Sequence, residues 1–248
     1  MGAKYLNGIV ISNKEISKDI FKIIIEGNFK GKPGQFYMLR AWEDEPLLGR
    51  PISVHGINEN NIEFLYRTQG RGTKILSKLE SGNNIDLMGP LGNGFDVDNI
   101  KGNVAIVCGG IGIAPMKYVA ESLKNCNVDF YAGFKEEVYL LDSIKSNVSN
   151  LIVTTNSGKL GYKGYITDKL KPENYDVVLC CGPEIMMEKV IKMCRNENIP
   201  SYISMEKKMA CGVGACLVCT CKTKLGNKRT CKDGPVFKGE DIILRRDI

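Results

Sequence analysis

From Lys4 to Met88 the chain reads as short strands broken by turn residues. Phe21, Ile23 and Ile25 alternate with Lys22, Ile24 and Glu26, and Lys30-Gly31-Lys32-Pro33-Gly34 then reverses the chain. Gln35 to Leu39, Ile52 to Ile57, Ile62 to Arg67 and Ile85 to Met88 continue the series, with one short helix from Gly72 to Leu79. Several strands at this spacing with a single helix predict a small antiparallel barrel.

After Pro90-Leu91-Gly92-Asn93-Gly94-Phe95 the rhythm changes, and Asn99 to Asn103 is the expected boundary. Val104 to Val107 reads as a buried strand, Gly109 to Gly112 as a turn and Ala114 to Leu123 as a helix. Strands at Val128 to Ala132, Leu151 to Thr155, Asp176 to Cys180 and Tyr202 to Ser204 then alternate with helices at Glu136 to Leu141, Ile166 to Leu170 and Ile185 to Cys194. That alternation predicts a parallel sheet with helices on its faces. Glu206 to Ile248 shows little regular pattern and closes at Ile242-Ile243-Leu244 in a strand or turn. The expected organisation is a multi-domain β and α/β protein: an antiparallel barrel over 1–99, a Rossmann-like parallel-sheet domain over 100–204 and a small segment over 205–248.

Composition changes this picture little. A chain of 248 residues suits two domains and an appendage, and 43% hydrophobic with 25% charged residues is ordinary for a globular protein. The net charge of +6 comes from scattered lysines without a long basic run, which gives nucleic-acid binding no support. No stretch approaches the roughly 18 apolar residues of a membrane span, and MGAKYLNG lacks the layout of a signal peptide, so a cytoplasmic protein is expected.

The cysteines change it a great deal. Cys211, Cys216 and Cys219 are spaced C-x₄-C-x₂-C, and Cys231 follows after eleven residues. That is the ligand set of a [2Fe–2S] cluster, and Gly212 and Gly214 inside the loop free backbone N–H groups to face the sulfurs. A structural zinc site is the competitor, but such sites present two facing C-x₂-C pairs, and only Cys216 and Cys219 form one. Cys221 reads as a packed free thiol. Of the ten cysteines, Cys108, Cys126, Cys180, Cys181, Cys194 and Cys221 remain, mostly in apolar segments, and are read as reduced thiols.

Two glycine turns mark the second domain. CGGIGIAP, from Cys108 to Pro115, follows a strand and opens a helix whose N-terminus suits a diphosphate. It does not fit G-x-G-x-x-G. Cys180-Cys181-Gly182-Pro183-Glu184 ends another strand before a helix, as a ligand crevice at the carboxyl ends of parallel strands requires. In the barrel, Leu48-Gly49-Arg50-Pro51-Ile52-Ser53 offers a guanidinium and a hydroxyl, and Gly70-Arg71-Gly72-Thr73 a second anion site at a helix start.

Arg50-Pro51-Ile52-Ser53, Leu65-Tyr66-Arg67, Gly72-Thr73, GPLGNGF (89–95), CGGIGIAP, CGPEIMM (181–187) and MEKKMACGVGACLVC (205–219) follow one another as in a known family. In this combination the chain resembles the electron-transfer subunit of type B, NAD-dependent dihydroorotate dehydrogenase, within the ferredoxin reductase superfamily. The resemblance covers nearly the whole chain. It implies FAD on the barrel, held by Arg50, Pro51, Ile52, Ser53, Leu65, Tyr66, Arg67, Gly72 and Thr73. It implies NAD(H) at Gly109, Gly110, Gly112, Cys181, Gly182 and Pro183, and a [2Fe–2S] cluster on Cys211, Cys216, Cys219 and Cys231. The implied partner is an FMN-containing catalytic subunit, two of each forming a heterotetramer in pyrimidine biosynthesis, with no nucleic acid and no membrane.

Two positions depart from the superfamily. Ile52 stands where a tyrosine is common, and Thr154-Thr155-Asn156-Ser157-Gly158 carries no acidic residue for the ribose hydroxyls. No general acid–base pair is evident. His55, the one histidine, reads as a packed or surface residue, while Tyr5, Trp42 and Ile242 to Leu244 read as core or as a subunit interface. Two alternatives stay open: a flavin and iron–sulfur subunit of an NADH-dependent ferredoxin:NADP reductase or a sulfite reductase, and a zinc-binding nucleotide-sensing module. Cys-Gly-Val-Gly-Ala-Cys-Leu-Val-Cys and Lys232-Asp233-Gly234-Pro235-Val236-Phe237 favour the dihydroorotate system.

Overall fold

The structure is a computed structural model that describes residues 3–244. The outermost residues of the expected first and third segments lie outside that range.

The alternating N-terminal stretch forms strands β1 (Lys4–Ser17), β2 (Ile20–Glu26), β3 (Phe36–Arg40), β4 (Arg50–Ile57), β5 (Asn61–Arg67) and β6 (Asn84–Leu91), with helix α1 (Arg71–Leu76) before the last. They close into an antiparallel barrel in the order β1-β2-β5-β4-β3-β6, with β6 returning to β1. Inward positions such as Ile23, Ile25, Leu39, Phe64 and Leu87 are fully buried. Burying each such side chain is worth roughly 1.5–3 kcal/mol, so the alternation itself fixes the register.

The second unit contains β7 (Gly102–Gly109), α2 (Ile113–Ser122), β8 (Cys126–Gly133), α3 (Leu141–Lys145), β9 (Asn150–Thr155), β10 (Tyr162–Lys163), β11 (Val177–Cys181), α4 (Glu184–Asn196) and β12 (Ser201–Ser204). The sheet runs β10-β9-β8-β7-β11-β12 and is parallel throughout this part, as expected. Its central strands are apolar on both faces: Ile106 and Leu179 pack toward one core, Val107 and Cys180 toward the other.

Three expectations need correction. The helix expected over Glu136 to Leu141 begins only at Leu141, because Leu140 takes a left-handed conformation (φ 67°) and Glu137 is held by the Ser17 hydroxyl across on the barrel at 2.8 Å. Ile166 to Leu170 gives a single 3-10 turn, Ile166–Asp168. The C-terminal segment is more regular than its sequence suggests. It forms a hairpin of β13 (Thr220–Thr223) and β14 (Gly226–Arg229), and β15 (Val236–Lys238) adds antiparallel to β12 as the seventh strand of the sheet.

That last segment therefore ties the units together. β15 belongs to the sheet, whereas Cys219 and Cys231 pack with Phe36, Met38 and Leu91 of the barrel. Ile242 and Leu244 are buried beside Val190 and Ile203, so they serve the core and not an interface. Tyr5 is exposed on the barrel with its hydroxyl donating to Asp86. Trp42 is half-buried, with Arg50 lying over its ring at 5.5 Å.

Candidate functional site

A cavity of about 430 Å³ lies where the three segments meet. The barrel supplies Arg50, Pro51, Ile52, Ser53, Leu65, Tyr66, Arg67 and Thr73 to its wall; the second unit supplies Ile111, Ala114, Pro115 and Cys181; the C-terminal segment supplies Met209 and Pro235. Aliphatic walls with a few fixed polar groups are what a planar cofactor with a charged tail requires.

Arg50 is placed by its own strand. Its guanidinium donates to the Leu48 carbonyl at 2.5 Å and stands over the Trp42 ring. A Cβ at Gly72 would come within 2.5 Å of Arg50 Nε, so a glycine there lets the guanidinium lie against α1. The Thr73 side chain shapes the start of that helix. Its hydroxyl accepts from the backbone N–H groups of Gln69 and Gly70 (2.9 and 3.2 Å) and donates to the Gly70 carbonyl, which shapes the turn and leaves backbone N–H groups to face an anion. Tyr66 lies on the wall, but its ring is committed to the barrel core, stacked on Phe21 with its hydroxyl donating to Asn13.

The two glycine turns of the second unit press against each other. β7 and β11 are neighbours, with Cys108 opposite Cys181. A Cβ on Gly112 would strike the Cys181 carbonyl, one on Gly182 would meet Gly109 N at 2.8 Å, and one on Gly109 would meet Pro183 Cδ at 2.8 Å. Gly112 and Gly182 let backbone pass close to backbone, and Gly109 makes room for the Pro183 ring and Met186 Sδ. Gly110 alone of the set, with φ 53°, faces open space, at the start of the turn that leads into α2. A diphosphate approaching that helix end meets bare backbone there.

Glu206 stands on the inner wall. Solvent reaches it through the mouth, yet protein surrounds it on most other sides, and the resulting desolvation raises its carboxyl above the usual range. His55 is fully buried behind the cavity, its Nδ1 2.7 Å from the Ala114 carbonyl in the first turn of α2 and its Nε2 without a partner. Burial is the main cause that lowers its pKa to about 4.

The cysteine loop follows the cavity wall. Gly212, Gly214 and Leu217 all have positive φ (71°, 83° and 61°), which winds the chain tightly between ligand positions. Cys211 Sγ accepts from the N–H groups of Ala215 and Cys216 at 3.3 and 3.5 Å, and the Cys231 N–H points at Cys219 Sγ at 3.4 Å. Burial opposes the Cys211 thiolate, but the backbone N–H groups of Cys216, Val213 and Ala215 outweigh it and bring its pKa down to about 6. Burial and the neighbouring Cys219 push Cys231 up to about 12. The N–H···S contacts thus link Cys216 to Cys211 and Cys231 to Cys219. Four thiols on one tight loop and its returning chain, spaced C-x₄-C-x₂-C with the fourth eleven residues on, are the donors that a [2Fe–2S] cluster takes. The donor set fits the cluster. Cys221, on β13, is buried and its pKa raised chiefly by burial, a packed thiol.

One part of the site escapes sequence reading. Arg229 pairs with Asp233 through Nε and Nη2 (3.0 and 3.1 Å) and donates to the Gly214 carbonyl at 3.2 Å, clamping the loop to the returning chain. Asn93 N–H donates to the Gly234 carbonyl and Asn93 Nδ2 to the Lys232 carbonyl, which docks the same return onto the barrel. Asn93 and the return it docks fall within GPLGNGF and Lys232-Asp233-Gly234, which in the sequence carry only the family resemblance.

A sequence model described as the iron–sulfur cluster binding domain of dihydroorotate dehydrogenase B matches residues 206–243. The dihydroorotate dehydrogenase B (NAD(+)) electron transfer subunit of Clostridium acetobutylicum is 59% identical over 244 residues, 98% of this chain and 99% of that one. The chain belongs to the family of dihydroorotate dehydrogenase B electron-transfer subunits. A member from Clostridium perfringens is 51% identical over 98% of this chain and 99% of its own length. Among solved structures, that of an NADH-dependent reduced ferredoxin-NADP oxidoreductase superposes with a TM-score of 0.87 at 28% identity, covering 96% of this chain and 90% of that one. In this electron-transfer subunit the family's cluster-binding domain is thus the segment that joins barrel and sheet.

Proposed function

We propose that this subunit passes electrons between NAD(H) and an FMN-containing dihydroorotate dehydrogenase catalytic subunit, with FAD in the shared cavity and a [2Fe–2S] cluster in the cysteine loop, in pyrimidine biosynthesis. The observation that carries this is that one cavity is walled by residues of all three segments, among them Arg50 and Ser53 of the barrel, Ile111 beside the glycine turn, and Met209, two residues before Cys211. When bound, the flavin exchanges a two-electron hydride with the nicotinamide for single electrons with the cluster.

On this reading, residues 1–99 bind FAD, 100–204 bind NAD(H) and 205–248 bind the cluster. Arg50, with the α1 backbone at Gly72 and Thr73, would hold the diphosphate, Pro51, Ile52, Leu65 and the Tyr66 backbone would line the ring, and Ser53 and Arg67 would offer hydrogen-bond donors to the flavin. Gly110 would receive the nicotinamide coenzyme's diphosphate, while Gly109, Gly112, Cys181, Gly182 and Pro183 set the two turns. Cys211, Cys216, Cys219 and Cys231 would ligate the two irons.

The rest of the chain keeps water out and geometry fixed. On this reading the oxidation of dihydroorotate belongs to the catalytic partner. Cys216 is exposed, and Val213, Leu217 and Val218 around it are 46%, 61% and 56% exposed, an apolar rim suited to a docked protein. A cytoplasmic assembly of two catalytic and two electron-transfer subunits is the form we propose.

Affinity purification of the tagged chain from anaerobic cells tests it. Recovery with an FMN subunit that turns over dihydroorotate supports the proposal; recovery with a glutamate-synthase-like or sirohaem partner overturns it.

A further inference from the structure

The adenosine half of the nicotinamide coenzyme has a restricted path across this molecule, and the argument rests on the coenzyme reading above. The reacting ring must reach the shared cavity, at Ile111, Ala114 and Cys181. In the sheet order β9-β8-β7-β11-β12, that cavity lies toward β11 and β12, with Cys181 and Ser204 on its wall. From a diphosphate at Gly110, the other half of a dinucleotide therefore runs over the carboxyl ends of β8 and β9, each about 4.8 Å farther on.

Two loops are zipped together at those ends. The Phe134 N–H donates to the Thr154 carbonyl and the Asn156 N–H to the Lys135 carbonyl, both at 2.9 Å. One residue further, the Ser157 hydroxyl donates to Glu136 Oε2 at 2.6 Å. The turn beneath is held by Thr155 Oγ1, which accepts from the Gly158 N–H at 3.0 Å and donates to the Leu160 carbonyl at 3.1 Å. The adjacent acid, Glu137, is engaged elsewhere, by the Ser17 hydroxyl and the Lys18 N–H of the barrel. Glu136 is thus a carboxylate fixed beside Asn156-Ser157-Gly158, where the sequence itself has no acid, and its second oxygen has no protein partner in the hydrogen bonds and ion pairs described.

We propose that Glu136, oriented by Ser157, reads the 2′-hydroxyl of the adenosine ribose and makes this subunit select NAD(H) over NADP(H). A carboxylate accepts from a ribose hydroxyl and repels a 2′-phosphate. Lys159 and Lys163 border the same turn as exposed cations. If they govern instead, they draw the phosphate, and the selectivity is reversed.

Equilibrium titration of the full, cofactor-loaded chain with AMP and with adenosine 2′,5′-bisphosphate decides, followed by NADH and NADPH. The wild type is expected to prefer AMP by about tenfold or more; Glu136→Gln lowers that ratio about tenfold and Ser157→Ala lowers it less. Flavin content and the visible spectrum stay unchanged in both variants, which shows that they fold. An unchanged ratio in Glu136→Gln, or tighter binding of the bisphosphate by the wild type, overturns the proposal. Failure of the wild type to bind NADH or NADPH at all would remove the coenzyme reading itself, a distinct result.

Discussion

Acidification should loosen the joint between the barrel and the second unit through His55. The ring is fully buried on β4, bonded through Nδ1 to the Ala114 carbonyl of α2, with Lys22, Glu63 and Lys117 as the charged groups that bear on it. Burial lowers its pKa from 6.5 to about 4. Between those values the unfolded chain binds a proton that the folded chain refuses. The contribution to stability is therefore whole above pH 6.5 and is lost progressively as pH falls toward 4. A depression of this size corresponds to about 3 kcal/mol in full and about 2 kcal/mol by pH 5. His55→Asn keeps a short donor for Ala114 and does not titrate. Denaturant unfolding of both proteins at pH 7 and pH 5, followed by circular dichroism, should show the wild type losing about 2 kcal/mol more than the variant. Because the chain has one histidine, its Cε1–H resonance can be titrated without assignment and should not move until well below pH 6. Equal losses in the two proteins, or a midpoint near 6.5, would refute the reasoning.

Other expectations concern the site. Gly72→Ala puts a methyl within 2.5 Å of Arg50 Nε, and flavin retained through gel filtration should fall about tenfold in affinity. Cys216→Ser should abolish the cluster's visible absorption while the second unit still binds NADH; an intact spectrum rejects the ligand assignment. Arg229→Ala removes the Asp233 pair and the bond to the Gly214 carbonyl, so iron should be lost faster to a chelator at unchanged flavin content. Leu217→Asp in the exposed rim should weaken the complex with the catalytic subunit about tenfold, read by sedimentation, without altering NADH-driven reduction of a small-molecule acceptor.

Much of this was legible because local patterns and tertiary needs agree. The barrel strands alternate since one face is buried, and the sheet strands are continuously apolar since both faces are. The cysteine spacing carries its own chemistry. Where sequence reading failed, distant contacts decided. Glu136 to Leu141 has helix-forming residues, but Glu137 is held on the barrel and Leu140 turns the chain, so the helix starts late. Three residues, Val236 to Lys238, carry no strand signal of their own and become one by pairing with β12. Arg229 and Asn93 look like surface residues until the fold brings the loop to them. The glycines of the two turns divide into separate tasks that the sequence does not tell apart: Gly112 and Gly182 let backbone pass backbone, Gly109 makes room for the Pro183 ring and Met186, and Gly110 leaves an open surface.

The central claim is that three segments wall one redox path. Freshly purified chain, kept free of oxygen, should be yellow-brown and contain about two irons and one FAD per polypeptide. A colourless protein carrying zinc, or one with neither iron nor flavin, would contradict it.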